Sequence, residues 1–310
     1  MAGKIHTVKG LVEVDSLGLV LPHEHLFTDL RGPQVSGYAQ GEPARVVQML
    51  APYLAEAASV GITALVECST VGVGRNLQVL QSLAETTPIH IVAPTGVYRE
   101  AYIPDSLRDM HETDLADLWV RDLMEGMEGT SMRAGFIKIA MSDDGPTGLE
   151  RRNLRAAARA SRSTGCVIAS HTIGGNVARE EMDVLAEAGL DLHHFIWVHA
   201  QTEPDFSILE EAAGRGAYVE LDTVGATFQP QEELLQTAIT FIEAGWIDHL
   251  LLSHDAGWYN PSSQDGLPEG GFRGYTALVR EFIPALLRRG ITEEQVRRIT
   301  VHNPARAFAF

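Results

Sequence analysis

The sequence predicts one α/β fold, a (β/α)8 or TIM barrel with a short N-terminal β-hairpin, on three observations. Short apolar or β-branched runs alternate with longer helix-period segments almost throughout. That alternation calls for a parallel sheet wrapped by helices rather than a sandwich. Eight such strand–helix pairs can be counted. The strand runs are continuously apolar, as expected when both faces of a sheet are buried.

In chain order, residues 5–14 read as a hairpin lid over the barrel bottom. Strands are expected at 19–22, 64–68, 89–94, 136–140, 167–170, 195–198, 217–221 and 249–253. Helical periodicity fills 42–60, 76–86, 115–128, 150–164, 176–188, 204–215 and 231–244, and a last pair falls at 274–289 and 292–299. Gly61, Gly165, Gly216 and Gly245 stand just before four strands, where helix C-terminal stops belong. The stretch 256–275, rich in Gly, Pro, Ser and Asn, reads as a long loop on the C-terminal face, where barrels place substrate contacts. No repeat or linker divides the chain, so residues 1–310 are expected to form a single barrel domain.

The net charge of -17 argues against nucleic acid or an anionic membrane surface as a partner. Cys68 and Cys166, the two cysteines, lie inside apolar runs and make no disulfide framework. The first residues lack the apolar core of ~7–15 residues that a signal peptide needs. No run approaches the ~18 apolar residues of a membrane span. A cytoplasmic, soluble protein is expected.

The chemistry-bearing stretch is Leu21-Pro-His-Glu-His25. On a strand, residues i and i+2 share a face, so His23 and His25 can aim two imidazoles at one point. Polar residues of ligand type recur at later strand ends: Lys138, His171, His199 and Asp255. In a barrel these ends converge on one mouth. Alone, either His171 or His199 reads as a core histidine, and Asp255 as a turn former. A buried lysine is harder to dismiss, because unpaired lysine is almost never fully buried. Together the six suit two divalent metals ~3.5–4 Å apart, sharing a hydroxide that stays nucleophilic at neutral pH. An ammonium beside two dications would be repelled. Lys138 therefore fits as a neutral amine or as an N6-carboxylysine, the anionic product of its reaction with CO₂. His254, next to Asp255, should point the opposite way and is structural.

The chain resembles the phosphotriesterase-like branch of the amidohydrolase superfamily over essentially its whole length. The resemblance rests on Leu21-Pro-His-Glu-His25, Glu67-Cys-Ser-Thr70, Gly72-Val-Gly-Arg-Asn76, Gly96-Val-Tyr98, Phe136-Ile-Lys138, Ser170-His-Thr172, Val198-His199 and Ser253-His-Asp255. It implies that His23, His25 and Asp255 hold the more buried metal and His171 and His199 the more exposed one, with carboxylated Lys138 bridging. Asp255 would take a proton from the attacking hydroxide and pass it to the leaving group. Zinc is the first expectation for both ions, with manganese, cobalt and iron as alternatives. Family members are often dimers, so a homodimer is an expectation too.

The same resemblance orders the substrates. Family lactonases carry a tyrosine after strand 3, here Tyr98, so lactone hydrolysis comes first, with weak phosphotriester hydrolysis beside it. An amidase or esterase on N-acyl compounds and a dedicated phosphotriesterase are the alternatives. One departure counts against acyl-homoserine lactones: those enzymes often continue Asp-Arg after strand 7, where this chain has Leu221-Asp-Thr-Val224. Asp222 is expected to line the pocket, and Trp258, Tyr259 and Arg273 in the long loop to meet the substrate.

Overall fold

A computed structural model describes residues 3–310. Eight parallel strands form the barrel: β1 (Leu19–Phe27), β2 (Ile62–Glu67), β3 (His90–Val92, resuming as Pro94–Gly96), β4 (Phe136–Ala140), β5 (Ile168–His171), β6 (Phe195–Val198), β7 (Tyr218–Leu221) and β8 (Leu250–Leu252). The first half of β3 pairs with β2 and the second with β4, where Gly96 stands opposite Lys138. The change of neighbour falls at Ala93, just before Pro94, which has no N–H to give a ladder. From β4 to β8 the ladder runs in sequence order.

Closure back to β1 lies beyond the apolar run of β8. The Asp255 N–H donates to the His23 carbonyl at 3.1 Å, and the His25 N–H to the Ala256 carbonyl at 3.0 Å. Gly257–Tyr259 then continues as a short strand beside β1, with Gly257 opposite His25 and Tyr259 opposite Phe27. This strand sits in the stretch expected to be irregular, and β1 runs five residues past its expected end. The apolar run stops at Pro22, but pairing on both sides carries the strand through both histidines.

The hairpin, Lys4–Thr7 with Gly10–Glu13, closes the barrel bottom as expected. Ile5 and Leu17 join Val20, Phe136, Leu251 and Phe308 in the barrel interior, and Phe310 exchanges backbone bonds with Lys4. A second apolar layer lies between the strands and the helices. The helix Gly148–Thr164 has both termini written locally: Thr147 and Glu150 form a capping box, and Gly165 closes it in the left-handed conformation. The penultimate expected helix begins at Leu278 rather than 274, and the last continues as a helical run to Ala307 rather than stopping at 299. Among the described residues, no helix is long and apolar enough to cross a membrane.

Candidate metal centre

All six candidate ligands line one cavity of about 240 Å³ at the C-terminal mouth. His25 Nε2 and His23 Nε2 lie 3.1 and 3.4 Å from Asp255 Oδ1. Donor atoms of these three residues all fall within 4.8 Å of one another, close enough to hold one cation. Beside them, His199 Nε2 lies 2.7 Å from His171 Nδ1. Lys138, on β4, is buried, and among the described residues its Nζ has no hydrogen-bond partner. A buried amine without a partner is costly, so something in this cavity must meet it.

Buried carboxylates stand behind the imidazoles and fix their orientation. Asp222 takes both sides: Oδ2 lies 3.0 Å from His23 Nδ1, and Oδ1 lies 2.8 Å from His199 Nδ1. With Nδ1 donating to a carboxylate, Nε2 is the nitrogen left for a metal. His25 Nδ1 is 2.8 Å from Ser69 Oγ and 3.7 Å from Glu67 Oε1. Glu220 Oε2 stands 3.4 Å from His23 Nδ1. This surplus of carboxylates controls the protonation. Burial disfavours a charged His25, but Asp255 and Glu67 overcome it and raise the imidazole to about 9. Burial would also raise Asp255, yet His23 and His25 hold it well below the usual carboxylate range. His171 is driven well below its ordinary value by burial, then by His199, Arg99 and Lys138, and so is a neutral imidazole.

The donor set fits two divalent ions. Imidazole and carboxylate groups converge, an excess of anionic groups surrounds them, and one buried amine lacks a partner. The backbone is strained here as well. His199, Asp255 and Trp258 are three of five non-glycine residues at positive φ among those described. Such conformations cost free energy and persist where a site over-determines them.

Tyr98 Oη lies 3.1 Å from His171 Nδ1, and burial raises its phenol so that it stays protonated. Trp258 and Arg273 line the cavity. Asp222 does not: strand alternation turns it inward to the histidines, where it is fully buried. Tyr259 also faces away, stacked on Phe27 with ring centres 5.9 Å apart. His254 points opposite to Asp255, as expected, with Nδ1 at 2.5 Å from Glu24 Oε1 and Nε2 accepting the Leu278 N–H. Glu24, Glu67 and Ser69 stand in the motifs quoted above but carry no role assigned from sequence, and Glu220 and Arg99 are not singled out by it at all. Glu220 was findable, because it stands two before Asp222 on the same face of β7. Arg99, whose Nη2 is 2.6 Å from His171 Nε2, carried no comparable signal.

A parallel β/α barrel with an imidazole–carboxylate cluster at its C-terminal mouth defines a class of barrel hydrolases. The chain matches the Phosphotriesterase family over residues 3–308 and belongs to it. A phosphotriesterase homology protein of Mycobacterium tuberculosis is 30% identical over 98% of this chain and 97% of its own length. An N-acetyltaurine hydrolase of Danio rerio is 28% identical over 100% of this chain and 99% of its own. A mutant PTE-like lactonase of Deinococcus radiodurans superposes with a TM-score of 0.87 at 30% identity, covering 98% of this chain and 99% of that one. This chain is an enzyme, a hydrolase of that family.

Proposed function

We propose that the chain works as one barrel unit, a binuclear metal-dependent hydrolase acting first on lactones. His23, His25 and Asp255 would hold one ion, His171 and His199 the other, and carboxylated Lys138 would lie between them. Two such ions, zinc foremost, would supply Lewis acidity and make a water ionise near neutral pH.

The chain's own groups carry the remaining work. Asp255, kept ionised by the imidazoles around it, accepts a proton at Oδ and returns it to the leaving oxygen. Asp222 holds His23 and His199 in one tautomer while charge shifts. Leu30, Val73, Phe228 and Trp258 give the cavity an apolar wall that displaces water.

The observation that carries the lactone reading is Tyr98. Its protonated phenol stands beside His171 and inside the cavity, where it can donate to a ring or carbonyl oxygen. The full-length match to an N-acetyltaurine hydrolase supports amide hydrolysis as the second reading. A pH-indicator screen of γ- and δ-lactones, N-acyl amino acids and one activated phosphotriester separates them. Lactones turned over well above the other classes are the expected result, and turnover of amides alone would replace the first reading with the second.

A further inference from the structure

Apart from the candidate ligands, the cavity wall is nearly free of charge. It offers Thr28, Tyr98, apolar side chains and the guanidinium of Arg273; the other guanidinium nearby, that of Arg99, is set against His171 and paired with Asp143. The backbone holds this group in place. Arg273 Nη2 donates to the Asp255 carbonyl at 2.6 Å and to the His254 carbonyl at 3.2 Å. The preceding residue, Phe272, packs on Tyr53 with ring centres 4.0 Å apart, which anchors the loop. The two acceptors are neutral carbonyls, and among the described residues no carboxylate oxygen lies within ion-pair distance of this guanidinium. Arg273 Nη1 is buried and has no hydrogen-bond partner among the described residues. Over it lies Phe228, whose ring centre is 5.9 Å from Cζ and which is 74% exposed, a cover held by little.

A fixed cation with an unused donor, in an otherwise apolar wall beside the hydrolytic centre, is built to meet an oxyanion. We infer that Arg273 is the anion-recognising residue of this cleft, and that the preferred substrates join an apolar body to one carboxylate, sulfonate or phosphate group. Phe228 swings aside as the anion reaches Nη1. This deepens the hydrolase reading and rests on it for turnover, but anion binding is testable without turnover.

The direct test is calorimetry on the metal-free protein, where no metal can attract the anion. Hexanesulfonate is titrated against hexanol into wild type, Arg273→Gln and Arg273→Lys. The expected result is binding of the sulfonate well above that of the alcohol, with affinity about tenfold to hundredfold lower in Arg273→Gln and partly restored in Arg273→Lys. Equal binding of the two probes by wild type would overturn the inference. A second test compares a carboxylate-bearing lactone with its methyl ester on the metal-loaded enzyme. Arg273→Gln should raise KM for the acid at least tenfold more than for the ester. Equal losses on both, falling on kcat, would mean that Arg273 only braces the loop. If Arg273→Gln fails to fold, Phe228→Ala should tighten sulfonate binding by uncovering Nη1, and no change would count against the proposal. Absence of turnover on every substrate alongside selective sulfonate binding would sink the hydrolase reading and leave the anion site standing.

Discussion

Asp255 carries the heaviest assignment of any single residue. It faces His23 and His25 through one oxygen, sits at positive φ, and helps close the barrel through its own N–H. Asp255→Asn keeps the shape and loses the charge, so hydrolysis should fall ~10²–10⁴-fold while the fold persists. Turnover within a few-fold of wild type would remove Asp255 from the proton path. Ligand-type residues were legible in sequence because six of them recur in or just after apolar runs: each histidine alone has a bland reading, but the set does not, and a lysine inside such a run is the hardest to explain away. What stands behind them was not. Sequence places Asp222 at a strand end and so at the depth of the pocket, but does not say which groups it meets there. Only the pairing geometry turns it toward two histidines at once.

Among the elements, β3 and β5 bear most directly on the centre. Gly96 on β3 has φ +101°, and a Cβ there would lie 2.0 Å from the Lys138 carbonyl oxygen. Gly96→Ala must push β3 off β4, so it should cost at least about 1–3 kcal/mol in chemical denaturation and displace Lys138 with it. An undiminished midpoint would show that the strands yield without strain. Behind β5, Glu181 of the helix Gly175–Glu187 accepts from Ser170 and Thr172, the residues flanking His171. Burial pushes its carboxyl up from 4.5 to about 8, against the pull of the two hydroxyls. A raised folded-state value means stability that is complete below 4.5 and is lost as pH rises through about 8. Glu181→Gln mimics the protonated acid, so the melting temperature of wild type should fall relative to this variant between those values. A difference that stays constant with pH would contradict the assignment. The strand at Gly257–Tyr259 escaped sequence reading because three residues among glycines and prolines carry no period. It exists because β1 offers an unpaired edge there.

At the scale of the whole molecule, periodicity made the fold legible: apolar runs located the strands, and helix-period segments located the spacers between them. Boundaries drifted where pairing rather than composition sets an end, as in β1 and the final helical run. The barrel then does for the site what no local sequence could, by bringing residues from β1, β4, β5, β6 and the end of β8 around one cavity. Hydrolysis by this barrel therefore requires these residues to act as one binuclear centre. The measurement that tests it most directly is lactone hydrolysis followed as zinc is added to chelator-stripped protein, with bound metal counted at each point. Activity that rises to a plateau at two ions per chain, and that is lost together with metal in Lys138→Ala, is the predicted result. Full activity in the stripped protein, or two ions retained by Lys138→Ala with undiminished turnover, would contradict it.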